Sequence, residues 1–213
     1  MRKYIVSIIL IGTLFLSACN FGSSTEKDLA DVLSKLNSAE EKYREAQGEL
    51  SSLEKSEQTL FNEIIQLTQE EKEELKTKVS EVEESLEQRL SFLEDEESSI
   101  GKAKESVATF DEIIEKADEE KIKAEITELR DSVNNRYDLH SDFVENYKTL
   151  ADLQKELYGM LVDEETEVSK LQEKVTEVNK QNETVKGIIN SFNEATGTVN
   201  KLKEDLFNKL AEK

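Results

Sequence analysis

The feature that most constrains this chain is a seven-residue spacing of apolar side chains, which continues through most of its 213 residues. Such a and d positions of a heptad form the buried seam between packed helices. The chain also contains no proline, so few positions force a helix to stop. The first two interleaved series are Leu29, Leu36, Tyr43, Leu50, Glu57 and Ile64, and Val32, Ala39, Ala46, Leu53, Leu60 and Leu67. The sequence therefore predicts an all-α fold.

Interruptions of this pattern predict the turns between helices. The heptad phase slips near Thr68, where Thr68 and Glu71 form a capping-box pattern, and it slips again across residues 118–121. A third turn is expected at 162–165, because Asp163 and two glutamates are typical of a helix start. The expected helices are about 24–67, 68–117, 119–162 and 164–212. The phase itself also permits a single helix over 122–210.

Four helices of similar length suit a long antiparallel up-and-down four-helix bundle with coiled-coil-like heptad packing. The alternative is a parallel coiled-coil dimer of longer rods. Phase slips would interrupt such a rod but are natural at hairpins, which favours the monomeric bundle. We therefore expect residues 26–213 to form a single helical bundle domain.

The beginning of the chain has the layout of a secretory signal. Residues 1–18 contain a basic start and an apolar run that is too short for a stable membrane span. The following motif, Leu16-Ser17-Ala18-Cys19, resembles the lipobox of bacterial lipoproteins. The resemblance implies cleavage before Cys19 and a diacylglyceryl group on its thiol.

Cys19 is the only cysteine, so no intramolecular disulfide can form. Two acyl chains on this residue would meet the requirement for stable membrane anchoring. Residues 19–25 are then the lipidated cysteine and a short tether. The expected location is the extracellular face of the cytoplasmic membrane.

The charge of the chain excludes several partners. Removal of Arg2 and Lys3 with the leader changes the formal charge from −20 to −22. Such a surface repels phosphate polymers, so we expect no nucleic-acid binding and no direct contact with anionic lipid head groups.

No catalytic or metal-binding constellation is recognised. A carboxylate-bridged metal site in a bundle needs paired Glu-x-x-His motifs, but the only histidine, His140, has Tyr137 three residues before it. Glycine-rich phosphate loops are also missing, and no nucleophile elbow is present. We predict a non-enzyme without cofactor, in which His140 is a core residue.

Three polar residues, Arg89, Glu96 and Asn182, occupy heptad core positions near the middle of the expected bundle. A polar layer of this kind can fix the register of the helices, as a buried Asn does in coiled coils. The alternative interpretation is a pocket for a small ligand or a cation. An acidic stretch over residues 70–97 is typical of a solvated helix face, and its alternative is a docking surface for a cationic partner.

The chain resembles the YkyA-like family of cell-wall-binding lipoproteins of Gram-positive bacteria. The similarity rests on the lipobox, on Leu60-Phe61-Asn62-Glu63-Ile64-Ile65-Gln66-Leu67, and on a C-terminal pattern. That pattern comprises Val178, Asn179, Val185, Phe192, Asn193, Thr196, Asn200, Lys203 and Phe207. The resemblance implies a lipid-anchored four-helix domain outside the cytoplasmic membrane, and it supplies no catalytic residues.

We therefore predict a non-catalytic surface lipoprotein that binds a cell-wall polymer or another envelope component, or that spaces the membrane from the wall. An alternative is an adaptor that recruits a protein partner through its acidic helices. A weaker alternative is binding of a small ligand or cation in the polar layer.

Overall fold

The computed structural model describes residues 24–68 and 70–212, and these residues form helices and no strand. The predicted all-α class is confirmed. The helices are α1 (Ser24–Ala39), α2 (Glu41–Ile64), α3 (Lys72–Ser106), α4 (Thr109–Lys116), α5 (Glu120–Val162) and α6 (Val168–Ala211). The predicted lipobox at Leu16, Ser17, Ala18 and Cys19 lies outside the described residues.

A side chain inserted into the helical hydrogen-bond ladder separates α1 from α2, where the sequence predicted one continuous helix. The Ser99 hydroxyl donates to the carbonyl of Ala39 at 2.6 Å and accepts from the backbone N–H of Tyr43 at 3.1 Å. These are the two groups that an unbroken helix would join directly. Insertion of this kind bends helices, and here it leaves Glu40 in a turn.

The other turns use the side-chain chemistry that begins helices. Glu71 accepts hydrogen bonds of 2.8 Å from the backbone N–H and the hydroxyl of Thr68 just before α3. Between α5 and α6, Asp163 accepts from the N–H of Glu165 at 3.0 Å and from the hydroxyl of Thr166 at 2.8 Å. Two helices, α5 and α6, therefore cover the stretch whose periodicity also permitted one.

The interruption between α3 and α4 is local. The backbone N–H of Val107 bonds the carbonyl of Lys104, and that of Phe110 bonds the carbonyl of Val107. Bonds to the third preceding residue tighten the helix at this point. The predicted helix over 68–117 is therefore two helices, α3 and α4.

The described residues group into two compact units. A single bundle domain over 26–213 stays a prediction. Unit 1 comprises the described residues of Ala46–Asp95 and Asp142–Ile189. Unit 2 comprises the described residues of 24–45, Glu96–Ser141 and 190–212. Each unit contains helical segments from separate parts of the chain, so its core is assembled from side chains that are distant in sequence.

The core of each unit follows the predicted heptad seam. In unit 1 the buried seam of α3 includes Val79, Val82, Leu86 and Leu93. In unit 2 the seam continues with Ile100 and Ala103, and α1 packs against α4. Burial of these apolar faces is the main stabilising contribution to helices of this kind.

No helix in the described part of the chain combines the length and the apolar character that a membrane span requires.

Candidate functional site

Unit 1 contains a buried polar cluster around Arg89, which we call the Arg89 cluster. The cluster joins α3, α2 and α5 through Arg89, Glu57, Glu54, Tyr147 and Gln154. Arg89 Nε lies 2.7 Å from Glu57 Oε1, and both side chains are about 3% exposed. Neither of these two atoms has hydrogen-bond geometry, so the contact is an ion pair in which the N–H does not point at the oxygen.

The remaining contacts of Arg89 are well-formed hydrogen bonds. Its Nη1 atom donates to the Tyr147 hydroxyl at 2.7 Å, and Nη2 donates to Gln154 Oε1 at 2.8 Å. The Tyr147 hydroxyl in turn donates to Glu54 Oε1 at 2.9 Å. Tyr147 therefore connects one buried cation to a second buried carboxylate.

Burial is the largest single influence on the pKa of Glu57 and on that of Arg89. It raises the pKa of Glu57, and the opposing effect of the Arg89 charge is smaller. Burial also lowers the pKa of Arg89, but Tyr147, Glu57 and Glu54 together raise it, and the net result is a raised pKa. Arg89 therefore remains a cation, while Glu57 takes up a proton more readily than a solvated glutamate does.

Unit 2 contains a second buried polar cluster, the Arg136 cluster. Arg136 and Glu40 form a bidentate pair, with Nη1–Oε1 at 2.7 Å and Nη2–Oε2 at 3.2 Å. The Tyr137 hydroxyl donates to Glu40 Oε1 at 2.6 Å, and Arg136 Nε donates to the Thr196 hydroxyl at 2.8 Å. The guanidinium also lies 4.6 Å from the centre of the Phe192 ring. Each of these arrangements is favourable for a buried arginine.

His140 lies in unit 2 between aromatic rings and a carboxylate. Its ring centre is 5.5 Å from that of Tyr43 and 6.0 Å from that of Phe192. His140 Nε2 lies 3.3 Å from Glu96 Oε2, and both residues are buried. Burial lowers the pKa of His140 to about 3, and the Arg136 charge adds to this effect. His140 is therefore neutral at pH 7, so its contact with Glu96 is not an ion pair at that pH.

The chemistry of both clusters is that of an internal structural network. Except for Arg89 Nε, the arginine donors named above are directed at oxygen atoms of the protein. The tyrosines act as neutral donors because burial raises the pKa values of Tyr137 and Tyr147. Within residues 24–68 and 70–212, no group of three or more His, Cys, Asp or Glu side chains could hold a metal ion. The prediction that His140 is a core residue matches its 1% exposure.

The three predicted layer residues have different surroundings. Arg89 belongs to the Arg89 cluster of unit 1, and Glu96 lies beside His140 in unit 2. Asn182 belongs to unit 1, where it is half-buried on α6. Of the three residues, only Arg89 belongs to one of the two clusters defined above, and its partners there were not assigned from the sequence.

Several of those partners were missed for a specific reason. Glu40 and Glu54 occupy heptad position e, which is outside the a and d series used to predict the core. Other members carried a signal, since Glu57 interrupts the apolar series of the first helix, and Arg136 and Thr196 fall at core positions. Buried glutamates at e could have been found by searching for partners of the core arginines.

Comparisons with known proteins confirm the resemblance seen in the sequence. The family model described as "YkyA: Putative cell-wall binding lipoprotein" matches residues 24–209. The "Uncharacterized lipoprotein YkyA" of Bacillus subtilis (strain 168) is 25% identical over 194 residues, which cover 91% of this chain and 86% of that protein. No solved structure matches the chain. Because the family model matches well over half of its residues, this protein belongs to the YkyA family of lipoproteins.

Proposed function

We propose that this protein is a non-catalytic lipoprotein, held by a diacylglyceryl group on Cys19 at the extracellular face of the cytoplasmic membrane, where its helices contact a cell-wall polymer. The observation that carries the proposal is the match of residues 24–209 to a family described as cell-wall binding. The proposal is further supported by the buried clusters of both units, whose polar groups bond one another. Such groups stabilise a scaffold and present no reacting atoms to a substrate.

The acidic surface restricts how the wall is contacted. A chain with a formal charge of −22 after loss of Arg2 and Lys3 repels teichoic acids, which are polyanions. Contact therefore requires either direct binding to peptidoglycan or divalent cations that bridge two anionic surfaces. These two modes differ in their response to magnesium and to removal of teichoic acid.

The anchoring part of the proposal is tested by Cys19→Ser in cells that are fed labelled palmitate. We expect the natural chain to carry the label and to sediment with membranes, and the variant to carry no label. Because Cys19 is the only cysteine, labelling at another thiol cannot obscure the result. Sedimentation of the natural chain with membranes while it carries no label would contradict lipid anchoring.

The wall-binding part is tested by co-sedimentation of residues 20–213 with purified sacculi. The sacculi are used with and without teichoic acid, and with and without millimolar magnesium. Sedimentation with stripped peptidoglycan would indicate direct binding, and sedimentation that needs both teichoic acid and magnesium would indicate cation bridging. If the protein stays in the supernatant under every condition, it is not a wall-binding module.

A second candidate function is an adaptor that recruits a protein partner. The observation that favours it is an exposed acidic group at the start of α3, with Glu70 and Glu71 just before the helix and Glu73 and Glu74 in its first turn. An adaptor predicts a salt-sensitive complex with a cationic protein. Binding of a small ligand or a cation in the polar layer remains a weaker alternative, tested by ligand-dependent thermal stabilisation.

A further inference from the structure

The beginning of α6 carries an apolar stripe that the rest of its unit does not cover. Val168, Leu171 and Val175 continue the heptad seam of α6, so they lie on one face of the helix. Val168 is 70% exposed, Val175 is 37% exposed and Leu171 is half-buried. Later members of the same seam are buried, including Val185 at 0% exposure. The seam is therefore uncovered over the first two turns of α6. We call these three residues the α6 stripe.

A further apolar residue of unit 1 is exposed in the turn that precedes α3. Ile65, in the turn after α2, is 60% exposed. The turns before α3 and before α6 are held at the same end of unit 1, because Lys72 Nζ lies 2.8 Å from Glu164 Oε1. The end of α2 and the end of α5 also pack together, in a hydrophobic cluster that includes Ile64 and Tyr158, with Val162 packed against it. Unit 1 thus exposes apolar side chains at one end.

The charges around the α6 stripe are mostly negative. Residues 163–177 contain six acidic and two basic side chains. One of the two basic residues, Lys174, is already bonded at 2.6 Å to Glu156 and at 2.6 Å to Glu177. Glu165 and Glu167, in the turn that leads into the stripe, are exposed. An apolar strip with an acidic border complements a partner that has one apolar face and a cationic rim.

We propose that the α6 stripe is a docking surface for a cationic amphipathic helix of another protein. The apolar face of the partner helix packs on Val168, Leu171 and Val175, and its lysines or arginines lie near Glu165 and Glu167. The acidic border favours a cationic helix as the partner, because it repels both a second copy of the chain and an anionic membrane surface. The proposal goes beyond contact with a cell-wall polymer and does not depend on it.

The test measures binding of a fluorescent three-heptad peptide, with leucine at a and d and lysine elsewhere, to residues 20–213 at physiological salt. Fluorescence anisotropy reports the affinity. We expect Val168→Ser combined with Val175→Ser to weaken binding by about tenfold or more, since the apolar contact is lost. Both side chains are exposed, and circular dichroism checks that the variant keeps its helix content and melting temperature.

Charge variants in pairs show whether the acidic border acts locally. Glu165→Gln with Glu167→Gln should weaken binding several-fold. The matched control, Glu105→Gln with Glu115→Gln in unit 2, removes the same charge from exposed positions and should leave binding within about twofold of the natural chain. Equal losses from both pairs would indicate non-specific attraction and would overturn the proposal.

Four further results would overturn it. These are unchanged peptide binding by the double serine variant, equal binding of a scrambled peptide, a self-association in ultracentrifugation that the double serine variant abolishes, and stripe-dependent binding to phosphatidylglycerol vesicles. The third would assign the stripe to a second copy, and the fourth to a membrane. The double serine variant should sediment with sacculi as the natural chain does, so failure of wall binding and failure of this proposal are distinguishable.

Discussion

The Arg89 cluster of unit 1 and the Arg136 cluster of unit 2 use the same residue types in different geometries. Each has a buried arginine, a paired glutamate and a tyrosine hydroxyl. Glu40 meets both terminal nitrogens of Arg136 in a bidentate pair, whereas the contact of Glu57 Oε1 with Arg89 Nε, at 2.7 Å, lacks hydrogen-bond alignment. The same charges therefore form a well-aligned pair in one unit and a poorly aligned pair in the other.

The two glutamates lie at different backbone positions. Glu40 lies where the Ser99 hydroxyl is inserted between α1 and α2, while Glu57 lies in the uninterrupted part of α2. Glu40 keeps both of its own helical backbone bonds, to Leu36 and to Arg44, so the insertion replaces a single bond of the ladder. The alignment of a buried ion pair therefore differs between the two clusters although the residue types are the same.

The largest effect is expected from Arg136→Met, which leaves Glu40 buried without its cation. The free energy of unfolding should fall by about 3–5 kcal/mol, the usual cost of breaking a buried pair from one side. Urea unfolding followed by circular dichroism measures it. Lys104→Met is the control in the same unit, because its ion pair with Asp138 is about half exposed and should contribute 1 kcal/mol or less. Equal losses from the two substitutions would contradict a well-formed buried pair.

The titration of His140 should give unit 2 a sensitivity to acid. Its pKa is lowered to about 3 in the folded protein from an ordinary value of 6.5, so the unfolded chain binds the proton first. Stability should therefore fall as pH drops below 6.5, by up to about 1.4 kcal/mol per pH unit. Unfolding from pH 7 to 4.5 of the natural chain and of His140→Gln measures the difference in slope. Parallel slopes would show that His140 is not buried in its neutral form.

The titration of Glu57 should make unit 1 less stable as pH rises, which is the opposite of the effect expected from His140 in unit 2. Burial raises its pKa above 4.5, so the folded protein keeps a proton that the unfolded chain releases. Stability should fall as pH rises from 4.5 through the folded pKa, and Glu57→Gln should remove this slope. At pH 7 the substitution should cost less than Glu40→Gln, which loses a charged bidentate partner worth about 1.5–3 kcal/mol. A larger cost for Glu57→Gln would reverse our comparison of the two pairs.

The smallest effect is expected from Ser99→Ala, which removes the hydroxyl between Ala39 and Tyr43. The free energy of unfolding should fall by about 1 kcal/mol, since two buried backbone groups lose their partner. Hydrogen exchange of peptides from residues 24–45 localises the change to unit 2. Ser141→Ala serves as the control, because its hydroxyl only bonds the carbonyl of Tyr137 in the preceding turn, and about 0.5 kcal/mol or less is expected. Exchange in this region that does not respond to Ser99→Ala would contradict its role in the turn.

The helical class of the chain and most of its buried apolar faces follow from the sequence alone. Heptad spacing is a local property, because residues three and four apart lie on one face of a helix. The pattern also indicated that Arg89 and His140 are core residues, and the family resemblance was readable from the chain alone. The burial predicted by heptad spacing is wrong at Val168 and Val175, because the structure leaves both side chains exposed.

Contacts between residues of different helices, by contrast, depend on tertiary packing. The turn at Glu40 depends on Ser99, which is 60 residues from Ala39, and Arg136 meets Glu40 across 96 residues. No period within one helix encodes these contacts, because they depend on how separate helices are aligned along their axes and rotated about them. Alignment is fixed when apolar seams and buried charges are satisfied together, and that condition exists only once the helices have packed.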